Sequence, residues 1–317
     1  QVNKVISDAY EPGSTFKIIT MAGKLESEIN ITRNIYNCEN GSFMFMNKVF
    51  KDHEKHNELS LSEILVYSSN IGMIKIADEL GDKNVFHYTR QFGFGSPTGI
   101  SLPGESQGIV NPLSRWSGIS GPEIAIGQEI AVNNLQLAMA YCAVANGGFL
   151  LKPHIIKEIY SSDGYRYVNK PQVVRKCMLK KTSMNLLSML QDVVSQGTGS
   201  AAGIPGFQIA GKTGTAQKVV KGTYSEENFI SSFAAIFPVE NPRYVCIVSV
   251  DSPDHTRGYH WGSQTAAPLV KRIFERIIFR ENKKYRINED PSIYVITNSD
   301  INDSNNNLSM MAGNLWN

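Results

Sequence analysis

The stretch Tyr10-Glu11-Pro12-Gly13-Ser14-Thr15-Phe16-Lys17 constrains this chain more than any other, because a Pro-Gly turn there delivers a serine to an apolar run of helical period. Ile18, Ile19, Met21, Ala22 and Leu25 recur at helical spacing, which predicts a helix with Ser14 in its first turn. Residues three apart share a helix face, so the Lys17 amine falls within reach of the Ser14 hydroxyl. A hydroxyl beside an amine is a nucleophile beside a base. The unbonded N–H groups and the positive end of the helix dipole favour the negative charge that grows as such a hydroxyl attacks a carbonyl. An ordinary lysine keeps its proton to about pH 10.4, so the base exists only if burial or a second cation drives the proton off. Alone, Ser-x-x-Lys is usually a polar helix face carrying a lysine, and two further elements have to support the chemistry.

The first is Ser68-Ser69-Asn70, 54 residues after Ser14, in a tight link between two predicted helices. Such a link aims Ser68 and Asn70 the same way: Ser68 to relay a proton to a leaving amine, Asn70 to bond a substrate carbonyl or to orient Lys17. Ser-x-Asn also occurs at Ser183-Met184-Asn185 and Ser304-Asn305-Asn306, where a capping or turn serine suffices. The second is Gly211-Lys212-Thr213-Gly214-Thr215-Ala216, expected at the end of a first strand. Two-residue alternation puts the Thr213 and Thr215 hydroxyls on one face, and Lys212 with Gly214 on the other. Gly214, lacking a side chain, lets the Ser14 helix approach. Lys212 supplies the second cation to depress Lys17 and draws a substrate carboxylate toward Thr213 and Thr215. The Ser14 and Thr215 N–H groups then form an oxyanion hole. Ser-x-x-Lys and Lys-Thr-Gly each occur once, and the three elements stand in the order expected for serine acyl transfer.

Between these elements the pattern is helical. Ser60 or Ser62 caps a helix through Val66, and further helices are expected over Ile71 to Leu80, Asp82 to Gln91, Asn133 to Asn146 and Thr182 to Gln196. Gly41 to Glu58 reads as a solvated loop or edge hairpin, and the stretch from Phe92 to Gly127 as loops. His53 and His56 are one residue short of the i, i+4 spacing a helical metal pair needs. After Gly206 the period changes to strands at Phe207 to Ala210, Phe229 to Phe237 and Tyr244 to Val250, followed by a helix opened by Pro268. Helices, then antiparallel strands, then a covering helix predict an α+β fold: one sheet and one helical lobe. Residues 281–317 read as a polar, largely disordered tail. Lysine and arginine number 31 against 29 acids, a net charge of +2 that implies no polyanionic partner. Cys38, Cys142, Cys177 and Cys246 show no metal or redox spacing and read as small buried residues.

With these motifs the chain resembles the transpeptidase domain of class B penicillin-binding proteins, most closely the cell-division, FtsI-type branch, over about residues 1–280. Further residues carry the resemblance: Phe92-Gly93-Phe94-Gly95-x-Pro97-Thr98-Gly99-Ile100-x-Leu102-Pro103-Gly104-Glu105, Leu135 to Tyr141 with Ala145-Asn146-Gly147-Gly148, and Asn241-Pro242-Arg243-Tyr244-Val245. The Ser68-Ser69-Asn70-Ile71-Gly72 wording favours the division branch. The resemblance implies the fold shared with serine β-lactamases, and cross-linking of peptidoglycan stem peptides through a Ser14 acyl-enzyme. It implies Ser14, Lys17, Ser68, Asn70 and Lys212 as catalytic residues, Thr213, Gly214 and Thr215 as substrate-binding, covalent capture of β-lactams, and no cofactor or metal. It also implies an inner-membrane protein with its catalytic domain on the periplasmic side, working with a division glycan polymerase. The family's sheet includes strands from before the Ser-x-x-Lys helix, so an N-terminally truncated sheet is expected here. Glu129 stands where a second glycine is common, Asn133-Asn134 replaces a usual Thr-Pro, and Ser101 replaces an aspartate. The alternatives of the same fold are a serine β-lactamase, for which no convincing Glu-x-x-x-Asn element for a deacylating base stands between the second and third motifs, and a non-enzymatic penicillin sensor.

Overall fold

Local caps fix where several helices begin in the computed structural model, which describes residues 2–27, 35–220, 222–254, 256 and 258–281. After α1 (Lys4–Ser7), a 3-10 turn over Gly13–Phe16 runs directly into α2 (Lys17–Glu26). Strands β1 (Ile35–Asn37), β2 (Ser42–Phe45), β3 (Lys48–Lys51) and β4 (Glu58–Ser60) lead to α3 (Leu61–Val66). Ser60 and Glu63 close a capping box on α3, each side chain bonding the other's backbone N–H. Ser69 caps α4 (Asn70–Leu80), and Gly81 in the left-handed region ends it before α5 (Asp82–Gln91). Next come α6 (Ser120–Ala125) and α7 (Asn134–Ala145), the latter capped by an Asn133–Gln136 box. Two ribbons, β5 (Phe149–Lys152) with β8 (Gln172–Lys176) and β6 (Glu158–Tyr160) with β7 (Arg166–Val168), precede α8 (Lys180–Gln196). The chain then forms β9 (Ala210–Val220), β10 (Thr223–Phe237), β11 (Tyr244–Asp251) and α9 (Ala266–Glu281).

Among the described residues the main sheet has the antiparallel order β11-β10-β9, and alternation along its central strand sorts two cores. Ala234 and Ile236 of β10 join the larger core, which α2, α3, α4, α7 and α8 fill with residues such as Phe16, Ile64, Ile74, Tyr141 and Leu190. Phe233, Ala235 and Phe237 face the other way, against Val270 and Phe274 of α9. The sheet is therefore clamped between a helical lobe and one covering helix, as the change of period after Gly206 predicts.

Four expectations need correction. Phe207–Ile209 is not strand: Pro205-Gly206 turns the chain, Ile204 bridges Phe207, and β9 starts at Ala210, so Gly211 to Ala216 occupy the beginning of a strand rather than its end. The covering helix opens at Ala266, with Pro268 third in it, where its missing N–H would have had no partner within the helix. Helix α6 breaks the supposed loop, and the ribbons over 149–176 were invisible because their residues are mostly exposed on both faces and show no apolar alternation. The expected hairpin within Gly41 to Glu58 is β2 paired with β3, and the tail expected from 281 on lies outside the described residues after Glu281.

Phe274 is fully buried and its ring stacks on Phe237 at 5.0 Å. Phe274→Ala is expected to lower unfolding stability by about 3–5 kcal/mol in a denaturant titration, through lost burial and the cavity left behind.

Candidate active site

Three elements converge on one serine hydroxyl. From α2, the Lys17 amine donates to the Ser68 carbonyl at 2.6 Å and to Asn70 Oδ1 at 2.7 Å, with Ser68 Oγ at 3.4 Å. From β9, the Lys212 amine donates to Ser68 Oγ at 2.8 Å. The α3–α4 link supplies Ser68 in a left-handed conformation (φ 57°) and Asn70 as the first residue of α4. Ser68 and Asn70 thus point the same way, as the spacing predicted. Both lysines are fully buried, whereas Ser14 is half-buried.

Close backbone approach is what allows the convergence. A Cβ on Gly214 would lie 2.5 Å from Ser232 Oγ, 2.9 Å from the Pro12 carbonyl and 2.9 Å from Thr15 Cγ2, so β9 can lie against the Ser14 turn only without a side chain there. At Gly127 (φ 81°) a Cβ would lie 2.1 Å from the Gly13 carbonyl oxygen, and the Gly127 carbonyl accepts from the Gly13 N–H at 3.0 Å. Thr15 Oγ1 donates to the Pro12 carbonyl, and buried Tyr141 donates from α7 to the Thr15 carbonyl at 2.9 Å, pinning the turn from beneath. Thr213 Oγ1 lies 3.0 Å from Thr198 Oγ1, and Thr215 Oγ1 accepts from the Gly262 N–H at 3.1 Å.

Burial pulls the Lys17 pKa down from 10.5 to about 7, against the opposing pull of the Asp52 carboxylate. Lys212 is held well below its ordinary value, first by burial and then by the Lys17 charge. The sequence offered burial or the Lys212 cation as the cause of the depression at Lys17. In the structure desolvation does that work, and the repulsion between the two amines falls on Lys212. Two N–H bonds of a neutral Lys17 are used by the Ser68 carbonyl and Asn70 Oδ1, leaving its lone pair free to take a proton. The expected Ser14–Lys17 hydrogen bond is not formed, and the Ser14 hydroxyl bonds no described residue. A looser contact of this kind is common before a substrate closes the site.

Sequence reasoning missed Asp52, whose carboxylate bonds Ser69, Asn70 and Ile71; its only signal was an acid within the charged run Lys51 to His56. His53 and His56 stack on Trp261 and Tyr67 instead of converging. Among the described residues no cluster of His, Cys, Asp and Glu is suited to a metal, and no helix is long and apolar enough to cross a membrane. Cys38, Cys142, Cys177 and Cys246 are free, the first and third buried and the others half-buried.

Comparison with known proteins shows the family. The profile of the family described as "Penicillin binding protein transpeptidase domain" matches residues 1–275. Stage V sporulation protein D of Bacillus subtilis is 35% identical over 307 residues, covering 92% of this chain and 47% of the relative. Penicillin-binding protein PbpB of Mycolicibacterium smegmatis is 34% identical, covering 88% and 45%. The chain therefore spans about half the length of these curated relatives. Among solved structures, penicillin-binding protein 3 of Mycobacterium tuberculosis complexed with ampicillin superposes with a TM-score of 0.82 at 32% identity, covering 92% of this chain and 66% of that one. The transpeptidase domain of Burkholderia pseudomallei penicillin-binding protein 3 gives 0.81 at 28% identity, covering 90% and 84%.

Gly214→Ala should push the Ser14 turn away from β9. Labelling of Ser14 by a tagged acylating agent is expected to slow by about 10- to 100-fold, while the melting midpoint moves only a few degrees.

Proposed function

Because the chain belongs to the penicillin-binding-protein transpeptidase family, within its class B, we propose that it is a serine D,D-transpeptidase that cross-links peptidoglycan stem peptides during septal wall synthesis. The observation that carries this reading is the meeting of two fully buried lysines on Ser68, one turn from Ser14.

Ser14 Oγ attacks the penultimate D-alanine carbonyl of a donor stem while the neutral Lys17 amine takes its proton. The Ser14 and Thr215 N–H groups hold the oxyanion, a donor of this kind contributing about 3–4 kcal/mol. Collapse breaks the amide C–N bond, and the proton passes from Lys17 through Ser68 to the departing D-alanine amine. The acceptor amine of a neighbouring stem then attacks the Ser14 ester, its proton returns to Ser14 Oγ, and the cross-link forms. Lys212 attracts the donor's terminal carboxylate, and Thr213 and Thr215 bond it beside Gly214. Asn70 orients Lys17 through Oδ1 and offers its amide to the substrate. β-Lactams acylate the same hydroxyl, and slow loss of the ester is expected. In the cell this places the domain outside the inner membrane, beside a division glycan polymerase.

Intact mass after incubation with benzylpenicillin tests the reading. A lasting adduct that is lost in Ser14→Ala is expected; rapid drug turnover would instead mark a β-lactamase, and no adduct would remove the acyl-enzyme. The acylation rate should also fall roughly tenfold per pH unit below about pH 7, because Lys17, with its pKa near 7, takes up a proton there and loses its lone pair.

A further inference from the structure

We propose that Asp52 is a positioning residue for acylation, fixing Asn70 and the Ser68 carbonyl against Lys17 and placing a negative charge beside that amine. The inference rests on the transpeptidase reading of the same site.

Asp52 follows β3 and is distant in sequence from the three motifs, yet its carboxylate is fully engaged by one of them. Oδ1 accepts from the backbone N–H of Asn70 at 2.5 Å and of Ile71 at 3.0 Å, while Oδ2 accepts from Ser69 Oγ at 2.6 Å. These are the first two N–H groups of α4 and its capping hydroxyl, which also accepts from the Gly72 N–H at 3.0 Å. An anion at that end of an eleven-residue helix is favoured by the helix dipole as well as by the bonds. Asp52 is itself held, its N–H donating to the Gly41 carbonyl at 3.1 Å.

The neighbouring Lys51 completes the grip. Its carbonyl accepts from Asn70 Nδ2 at 3.0 Å. With the backbone N–H of Asn70 bonded to Asp52 and its amide nitrogen bonded to Lys51, Oδ1 is left to face Lys17, where it accepts at 2.7 Å. Two consecutive residues of one loop thus determine which atom of Asn70 meets the base. A capping side chain alone would need only one of these bonds; this carboxylate makes three, all on the link that carries Ser68.

Charge adds a second effect that a neutral cap would lack. Asp52 and Lys212 are the charged groups acting on the Lys17 site, from the loop after β3 and from β9. The Asp52 charge also reaches the Cys38 thiol, which lies 3.5 Å from Ser69 Oγ and on which Lys75 of α4 acts with the opposite sign. The carboxylate opposes the desolvation of Lys17, so the base is left near neutrality instead of far below it. A lysine depressed further would be a weaker proton acceptor for the serine hydroxyl.

Two substitutions separate the bonds from the charge. Asp52→Asn keeps the shape and one acceptor but removes the charge; Ser69→Ala removes one of the carboxylate's three bonds, together with the Gly72 cap, and keeps the charge. Acylation rates with a fluorescent penicillin, followed from pH 5 to 9 beside wild type, give the answer. For Asp52→Asn we expect a maximal rate about 10- to 100-fold lower and an acid limb moved to lower pH by roughly 1 unit, since loss of a nearby anion favours the neutral amine. For Ser69→Ala the rate should fall with the limb unmoved. A wild-type rate in Ser69→Ala, or an unmoved limb in folded Asp52→Asn, overturns the proposal. Failure of wild-type protein to be acylated overturns the transpeptidase reading itself, and this inference with it.

Discussion

Two amines that would each carry a proton in water are buried side by side in this protein, and most of the structure around them follows from that constraint. Keeping Lys17 neutral near pH 7 rather than near pH 10.5 costs about 5 kcal/mol, comparable to the net stability of many domains. Such a cost is met only by a large surrounding core, and the convergence point is supplied from both sides: α2 and the α3–α4 link belong to the helical lobe, and Lys212 to the first strand of the sheet. The lysines cannot approach each other without joining lobe to sheet, so the site is also the seam of the fold. Gly214 and Gly127 sit on that seam because a methyl group at either would hold the two sides apart.

Burial and charge oppose each other at Lys17, and the balance explains the choice of neighbours. Desolvation alone would leave a poor base; an adjacent, fully charged carboxylate in direct contact would restore the ammonium. Asp52 acts through the helix it caps, with Asn70 between it and the amine, which moderates its pull. Lys212, by contrast, bonds Ser68, and among the described residues the Ser68 hydroxyl is the one partner the two amines share. A proton moving from Lys17 toward a leaving group has Ser68 Oγ as its next atom.

The convergence of these residues was legible in the sequence because it rests on short motifs whose spacing reflects one turn of helix or two residues of strand. Ser14 with Lys17, Ser68 with Asn70, and Lys212 with Gly214 each lie within four residues. The helices were legible for a similar reason: Ser60, Ser69, Asn133 and Gly81 are local signals for local boundaries. Asp52 was not legible, because its partners are 17 to 19 residues away and its neighbours Lys51, His53 and Glu54 gave it the composition of a solvated loop. Which of the two offered causes, burial or the Lys212 cation, depresses Lys17 was not decidable for the same reason, since desolvation is a property of the assembled core. The exposed ribbons over 149–176 lack the one-sided apolar pattern on which strand recognition depends.

Three of the four residues at which the chain departs from the family pattern bond residues 6–11, which lead into the Ser14 turn; the fourth, Ser101, is exposed. Glu129 takes the left-handed conformation (φ 54°) that a glycine would adopt without strain, and its N–H donates to Glu11 Oε1 at 3.0 Å. Asn133 replaces a threonine cap by a full capping box and reaches back to the Ile6 and Ser106 carbonyls. Asn134, in place of proline, accepts from Tyr10 at 2.5 Å and from Ser249 at 2.8 Å, joining the segment before Ser14 to β11. Glu11 and Tyr10 immediately precede the Pro12-Gly13 turn, so the departures add polar ties to the backbone that carries the nucleophile. These bonds tie the segment leading into the Ser14 turn to the 129–134 segment and, through Asn134 and Ser249, to β11.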